Sequence, residues 1–256
     1  MRIVRFSYGE GVAFGVIEPN PQGEVVEAIA GHPFAPIERT GVAVRLEEVR
    51  LLAPVLPSKV VAIGRNYAAH AAEMDSDVPD LPLIFLKPST AVVGPGEPIF
   101  APPSSTRVDY EGELAVVIGR LCRDVPEERA MDVVLGYTCG NDVTARDQQK
   151  TDGQWSRAKG YDTFCPLGPW IQTDLDVADL AIRTRLNGEL KQDGRTSQII
   201  HKIPRLIAHI TSCMTLLPGD VILTGTPEGV GPMQVADEVS VEIEGVGMLV
   251  NPVRAR

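Results

Sequence analysis

The sequence predicts an α+β protein in which strands dominate, with a small N-terminal β-rich domain over residues 1–55 and a larger domain over residues 56–256. Two observations predict this organisation. Most apolar runs are short and end at glycine or proline, which is typical of strands joined by turns. Helical spacing of apolar residues is confined to a few segments, so helices are expected to be a minor part of the fold.

The N-terminal domain is predicted from alternating apolar runs and turns. Residues 2–29 alternate such runs with the turn residues 8–11 and 19–23, which predicts a β-meander. The proline-containing stretch 52–58 indicates a linker after it.

The larger domain opens with a predicted strand and a short helix. Residues 59–64 form an apolar run that predicts a buried strand. The alanines of residues 65–74 favour a helix, on which His70 and Glu73 share one face because they are three positions apart. Taken alone, this spacing is better explained by a weak surface pair than by a catalytic one.

The second half of the chain combines a loop, two hairpins and one helix. Residues 144–164 are polar and aperiodic and predict a long loop, which in a compact domain is often functional. Residues 180–196 contain a central Asn-Gly pair and predict a hairpin. Residues 197–214 predict a helix broken at Pro204, and residues 239–253 predict a closing hairpin.

Composition and charge exclude several classes of protein. The formal net charge of −10 disfavours nucleic acid and anionic membranes as partners, because both need a positive surface. It permits a small carboxylic-acid substrate, since a bound cation and a few local basic residues can reverse the sign inside a pocket. No apolar run approaches the roughly 20 residues needed to span a bilayer. We therefore expect a soluble, cytoplasmic protein.

The four cysteines predict no metal centre. Cys122, Cys139, Cys165 and Cys213 are scattered, without a C-x-x-C pair or a histidine at ligand spacing. We expect free, mostly buried thiols in a reducing compartment.

A candidate metal site lies on the predicted strand Asp109–Gly119. Glu111 and Glu113 are two residues apart and therefore point to the same side, roughly 7 Å apart. Asp142 ends a second apolar run and joins them if the two strands share a sheet. Three carboxylates without histidine or cysteine suit Mg²⁺, Mn²⁺ or Ca²⁺ better than zinc. The alternative is a solvated strand edge, because paired acids are common on half-exposed strands.

The sequence contains few other motifs or residues that indicate a chemical function. The sequence has no nucleophile elbow, no Walker A loop and no H-E-x-x-H motif. The glycine-rich residues 225–231 are either a tight turn or a loop whose backbone N–H groups contact an anion. Arg65, Lys87 and Lys159 lie near apolar runs, although each alone is more typical of a surface cation.

Together these residues are compatible with chemistry on a 2-oxo acid. A hard divalent metal can chelate the carboxylate and keto oxygens and stabilise the enolate that forms when a bond to C3 breaks. A histidine oriented by a glutamate can move the proton or activate water.

Seven segments then resemble the fumarylacetoacetate hydrolase family, in the family's order. These segments are residues 60–74, 82–96, 109–119, 136–149, 156–169, 186–200 and 216–232. The resemblance extends over about residues 59–252 and implies a mixed, mainly β sandwich roll, usually a homodimer, with Mg²⁺ or Mn²⁺ in the site.

The resemblance also implies roles for individual residues. It places the metal ligands at Glu111, Glu113 and Asp142, a catalytic lid pair at His70 and Glu73, a catalytic lysine at Lys159, and substrate contacts at Arg65, Lys87, Gln149 and Thr226.

The resemblance leaves several reactions open. It implies foremost cleavage of a C–C bond beside a pyruvyl unit, as in acylpyruvate hydrolysis or oxaloacetate decarboxylation, through a metal-bound enolate. The alternative is isomerisation of 2-hydroxyhepta-2,4-diene-1,7-dioate in aromatic catabolism, to which the N-terminal domain points. A third alternative, a non-catalytic organic-acid binder, would not need His70, Glu73 and Lys159.

Overall fold

The computed structural model describes residues 1–256, and its strands far outnumber its helices, as the sequence predicts. The first ten strands are β1 (Arg2–Tyr8), β2 (Gly11–Asn20), β3 (Gly23–Ile29), β4 (Arg39–Arg45), β5 (Arg50–Leu52), β6 (Val60–Gly64), β7 (Leu83–Lys87), β8 (Val92–Val93), β9 (Ile99–Ala101) and β10 (Val108–Tyr110). The others are β11 (Gly112–Ile118), β12 (Val134–Asn141), β13 (Thr144–Ala145), β14 (Cys165–Gln172), β15 (Ala181–Leu186), β16 (Glu189–Arg195), β17 (Val221–Leu223), β18 (Gly231–Met233), β19 (Glu238–Ile243) and β20 (Gly247–Ala255).

Helices are short. The α-helices are α1 (Ala68–Glu73), α2 (Arg146–Thr151), α3 (Ser156–Lys159) and α4 (Ile203–Cys213). Four 3₁₀ turns cover Leu46–Glu48, Ser89–Ala91, Glu127–Val133 and Thr196–Gln198. None of these helices has the length and apolarity needed to cross a membrane.

Three sheets organise the chain. The largest has 12 strands and runs β4-β3-β2-β1-β14-β12-β11-β17-β6-β7, with β5 beside β1 and β8 beside β14. Its first strands form the predicted meander, and β1 pairs with β14 through Ile3 and Ile171. The other sheets are β13-β10-β18 and β16-β15-β19-β20-β9. The N-terminal strands therefore belong to the same hydrogen-bonded sheet as the central strands.

Strand β11 is buried on both faces. Leu114, Val116 and Ile118 point into a core that α4 covers, whereas Ala115 and Val117 point into a second core on the opposite face. This explains its uninterrupted apolar sequence, because a strand covered on both sides does not alternate with polar residues. Packing on both faces therefore holds the strand, and the acids at its start, in place.

The predicted strand Asp109–Gly119 is divided at Glu111. β10 ends at Tyr110 and pairs with β13 and β18, whereas β11 begins at Gly112 and pairs with β12 and β17. Glu111 thus lies where the chain passes from one sheet to another. The sequence does not predict this break, because it arises from pairing with different distant strands.

Two predictions about helices are wrong. Residues 144–164 are not a long loop, since they contain β13, α2 and α3. Their helical pattern is hidden because the buried positions include Arg146 and Lys159 instead of apolar residues. Pro204 does not break a helix but lies in the first turn of α4, where its missing N–H has no partner to lose.

Both predicted hairpins are confirmed. β15 and β16 form the hairpin around Asn187 and Gly188, whose φ angles are 52° and 82°, as the turn requires. β19 and β20 form the closing hairpin. All four cysteines are free thiols and only Cys213 is exposed.

Asp220 connects the turn before β17 to the segment before β6. Its carboxylate accepts hydrogen bonds from the backbone N–H groups of Ser58, Lys59 and Leu217, from the Ser58 hydroxyl and from the Lys59 ammonium. Burial raises the pKa of Asp220, but the hydrogen bonds from Lys59 and Ser58 outweigh it and leave this pKa below its usual value.

Asp220→Asn should lower the free energy of unfolding by about 2–3 kcal/mol at pH 7, because charge-assisted bonds are lost. A lowered folded-state pKa stabilises the protein above the unfolded pKa, and this contribution disappears as the pH falls through the folded value. The difference between variant and wild type should therefore shrink below about pH 4 in urea unfolding. The exposed Asp132→Asn is the control, and an equal loss there would contradict this role.

Candidate active site

Three carboxylates meet where β11 and β12 begin and end. β11 pairs with β12 so that Gly112 lies opposite Asn141, which brings Asp142, the next residue, beside Glu111 and Glu113. One oxygen from each of the three carboxylates lies within 4.8 Å of the others, and all three residues are buried. The cluster predicted from the sequence therefore forms inside the protein and not at a solvated strand edge.

Buried cations surround the cluster. The Lys159 Nζ donates to Glu111 Oε2 at 2.9 Å and also to Asp142 Oδ2. The Lys87 Nζ donates to Asp142 Oδ1 at 2.5 Å, and Arg146 Nη2 donates to Glu111 Oε1 at 2.6 Å. These bonds fix the orientation of two of the three acids.

The third acid is less well compensated. Glu113 accepts a hydrogen bond from the Gly225 N–H at 2.7 Å and pairs with no basic side chain. Burial raises its pKa well above the usual value, and the carboxylates of Asp142 and Glu111 raise it further. For Glu111 burial has the same effect, but Lys159 and Arg146 outweigh it and lower the pKa.

This arrangement fits a divalent metal ion. The donors are hard oxygen atoms on well-supported elements, with no histidine or thiolate among them. The uncompensated carboxylate of Glu113 faces the same space, where a cation would relieve the repulsion among the three acids. The cluster is thus suited to an ion of the Mg²⁺ class.

His70 and Glu73 form a pair on α1. The His70 Nδ1 lies 3.1 Å from Glu73 Oε2, and His70 is buried. The carboxylate of Glu73 also accepts the Gly229 N–H at 3.1 Å. This contact holds α1 against the glycine-rich loop, so the pair is not a free surface contact.

The glycine-rich loop contacts anions through its backbone, and these anions belong to the protein. The N–H groups of Gly225 and Gly229 are bonded to Glu113 and Glu73. Both glycines have φ near +100°, which disfavours other residues. A Cβ at Gly229 would also lie 2.2 Å from the carbonyl oxygen of Lys191.

A cavity of about 200 Å³ opens above the three acids. Its wall includes most of the residues that the sequence singled out: Arg65, His70, Glu111, Glu113, Asp142, Gln149, Lys159 and Thr226. Lys87 does not line it, because this completely buried side chain lies behind Asp142. Glu73 does not line the cavity and is connected to it only through its contact with His70.

Sequence reasoning missed several lining residues. Arg146 and Lys150 lie with Gln149 on α2, and Phe85 and Trp155 form an apolar side of the wall. The guanidinium of Arg146 is held by Asp109 and donates to Gln149 Oε1 at 2.6 Å. Arg146, Lys150 and Trp155 lie in the polar stretch 144–164, and this position is the only signal for them in the sequence, whereas Phe85 lies in the apolar strand β7.

Comparison with known proteins identifies the family of the chain. A family model described as fumarylacetoacetate (FAA) hydrolase C-terminal matches residues 59–254. The chain belongs to the fumarylacetoacetate hydrolase family. A second model, described as Rv2993c-like N-terminal, matches residues 1–54 of this family member.

Relatives within the family cover nearly the whole chain. Protein Rv2993c of Mycobacterium tuberculosis is 56% identical over 99% of this chain and 98% of its own. Oxaloacetate tautomerase FAHD2B of Bos taurus is 42% identical over 96% of this chain and 84% of its own. A solved structure of 5-carboxymethyl-2-hydroxymuconate delta-isomerase from Mycobacterium smegmatis is 56% identical, with a TM-score of 0.94 over 100% of both chains. The fold is therefore the α+β fold of the fumarylacetoacetate hydrolase family.

Proposed function

We propose that the protein is a Mg²⁺-dependent enzyme that transfers a proton on a 2-oxo dicarboxylic acid, interconverting its enol and keto forms or shifting its double bond. One observation carries this proposal: His70, held by Glu73, faces a cavity whose floor is the buried carboxylate cluster. The tautomerase and isomerase names of the relatives support proton transfer over C–C cleavage as the principal reaction.

Glu111, Glu113 and Asp142 would hold the ion, with Mn²⁺ as the alternative metal. When bound, such an ion supplies a Lewis acid that draws electron density from the 2-oxo group. The substrate would then lie in the cavity, with its carboxylate and keto oxygen above the three acids.

Lys159 would stabilise negative charge on the substrate oxygen. Its ammonium is buried; burial lowers its pKa, but Asp142 and Glu111 outweigh that effect and leave the pKa raised, so the group stays charged. A preorganised charge in a water-poor site stabilises a developing anion without reorganising. Gln149 would assist it, because its Oε1 already accepts from Arg146 and its amide N–H groups remain for the substrate.

His70 would carry the proton. Its neutral ring would accept a proton from the substrate carbon and return it to another position. Glu73 would stabilise the imidazolium that forms in between, and the Gly229 N–H fixes the carboxylate that does this. Helix α1, held against the glycine-rich loop, would exclude water from the transfer.

Two cations support the proposal of a dicarboxylate substrate. Arg65 and Lys150 line the cavity, and neither forms an ion pair with a protein carboxylate in this structure. Every other Arg or Lys in the cavity wall, namely Arg146 and Lys159, is paired with an acid. Arg65 and Lys150 are therefore available for a second substrate carboxylate.

Lys150→Met should raise the KM for oxaloacetate about three- to fivefold and leave kcat nearly unchanged, because an exposed ion pair contributes at most about 1 kcal/mol. The KM for 2-oxobutyrate, which lacks the second carboxylate, should stay constant. Exchange of the C3 protons, followed by NMR, measures both substrates. Lys202→Met, outside the cavity, is the control, and equal KM increases for the two acids would contradict this role.

The test of the proposed function is proton NMR in D₂O with Mg²⁺. We expect rapid deuterium incorporation at C3 of oxaloacetate and faster enol-to-keto conversion than in buffer. Incubation with 2-hydroxyhepta-2,4-diene-1,7-dioate tests the double-bond shift in the same way. If neither compound reacts faster than it does without enzyme, the proposal is wrong.

The second candidate is C–C bond cleavage, which the family resemblance implies foremost. The hydrogen bond from His70 Nδ1 to Glu73 would also allow His70 to activate water against an acylpyruvate. Release of pyruvate from oxaloacetate or from an acylpyruvate, at a rate above that of C3 exchange, would place cleavage first. Binding of these acids without any turnover would instead indicate a non-catalytic binder.

A further inference from the structure

Gly112 lies between two of the acids, and on the β17 side of β11 its N–H and its carbonyl are bonded to side chains instead of to a strand. β17 pairs with β11 only along Ala115–Val117, and Thr224 adds a bond to the Leu114 carbonyl. Beyond that point the Gly112 N–H donates to Gln192 Oε1 at 2.9 Å. The Gly112 carbonyl accepts from Thr226 Oγ1 at 2.9 Å.

These bonds close into a ring. The Gln192 Nε2 donates to Thr226 Oγ1 at 2.8 Å, so Gln192, Thr226 and Gly112 are each bonded to the other two. Gln192 also donates to the Pro227 carbonyl at 2.8 Å. The side chain of Gln192 has no exposed surface, so these bonds do not compete with water.

The ring connects three parts of the protein. Gln192 comes from β16 in the five-stranded sheet, Gly112 begins β11 in the large sheet, and Thr226 lies in the glycine-rich loop. A Cβ at Gly112 would lie 2.1 Å from Thr184 Oγ1, which explains why the close approach needs glycine. The loop then supplies the Gly225 and Gly229 N–H groups.

We propose that Gln192 and Thr226 are positioning residues, which together fix the Gly112 peptide and thereby the separation of the Glu111 and Glu113 carboxylates. The same ring sets the path of the loop, whose N–H groups hold Glu113 and Glu73. Gln192 thus couples the metal cluster to the histidine pair without touching substrate. The effect on turnover rests on the proposed function, whereas the effect on the Gly112 peptide does not.

The ring also changes the role expected for Thr226. A hydroxyl has one hydrogen, and that of Thr226 is donated to the Gly112 carbonyl. Although Thr226 lines the cavity, its hydroxyl is not free to donate to a substrate oxygen. Any substrate contact of Thr226 is therefore through its methyl group or as an acceptor.

Gln192→Met, which keeps the length of the side chain without its amide, tests the ring. Hydrogen–deuterium exchange of the peptide covering residues 110–114 should accelerate at least tenfold, because the Gly112 N–H loses its partner. The Mg²⁺ dissociation constant from calorimetry should rise about 10- to 100-fold, as for other residues that support metal ligands. Gln198→Met, at an exposed glutamine bonded only to the Arg195 N–H, should change neither quantity.

A double-mutant cycle with Thr226→Val decides whether the residues act as a unit. If they do, the double variant should bind Mg²⁺ about as weakly as either single variant instead of multiplying the two losses. If Gln192→Met does not fold, Gln192→Glu replaces it. This variant keeps the acceptor for the Gly112 N–H, so exchange should stay slow, but it lacks the N–H group that donates to Thr226 Oγ1.

Unchanged exchange and unchanged Mg²⁺ affinity in folded Gln192→Met would overturn the proposal, as would fully multiplicative losses in the double variant. If the wild-type protein binds no Mg²⁺ or Mn²⁺, the proposed function fails instead. The hydrogen–deuterium exchange rates still test the ring in that case, because their measurement needs no metal.

Discussion

Glu113→Gln is expected to weaken Mg²⁺ binding more than about 100-fold and to abolish metal-dependent turnover, because loss of a direct ligand exceeds the 10- to 100-fold effect of outer residues. The substitution keeps the shape of the side chain and removes the charge that no basic side chain compensates. Calorimetry with Mg²⁺ and the C3 exchange assay measure the two effects. The exposed Glu128→Gln should leave both unchanged.

The same variant should keep its fold. Repulsion among three buried acids destabilises the protein without metal, so Glu113→Gln should raise its melting temperature in the presence of a chelator. Added Mg²⁺ should stabilise the wild type and not the variant. Undiminished Mg²⁺ affinity in Glu113→Gln would show that the ion binds elsewhere.

His70→Ala is expected to lower kcat for proton exchange and for any hydrolysis about 10²- to 10⁴-fold, the usual contribution of a positioned acid–base group. Affinity for Mg²⁺ should stay within a factor of two or so, because His70 contacts Glu73 and not the three acids. Any decarboxylation should be less affected, since it needs no attacking water. Single-turnover kinetics and calorimetry separate these effects.

The exposed His32→Ala is the matched control for His70→Ala and should retain full activity. Glu73→Gln should give an intermediate loss, because it keeps the hydrogen bond and removes the charge that favours the imidazolium. If His70→Ala retained the wild-type rate on every substrate that the parent accepts, the assignment of proton transfer to this pair would have to be abandoned.

The sequence predicts the parts of the site that depend on local rules. Alternation along a strand places Glu111 and Glu113 on one side, and this holds although the strand divides at Glu111. Asp142 joins them because adjacent apolar runs tend to pair, as β11 and β12 do. The i, i+3 spacing of His70 and Glu73 similarly predicts their contact.

Other parts depend on contacts between distant segments. Arg146 reaches Glu111 across 35 positions and Gln192 reaches Gly112 across 80, so no spacing rule connects either pair. The short helices α2 and α3 bury charged residues, which removes the apolar period that would reveal them. Only the packed structure shows that these cations and amides lie inside.

The shared sheet makes the N-terminal strands part of the mechanical support of the site. Ile3 on β1 lies beside Ile171 on β14, both completely buried, and only β12 separates β14 from β11. Heating should therefore melt the whole chain in a single cooperative calorimetric transition. A fragment of residues 56–256 would leave this stretch of β14 without its partner, and an uncovered apolar edge promotes aggregation. Removal of residues 1–55 would thus lower the solubility of the protein before it altered any side chain of the site.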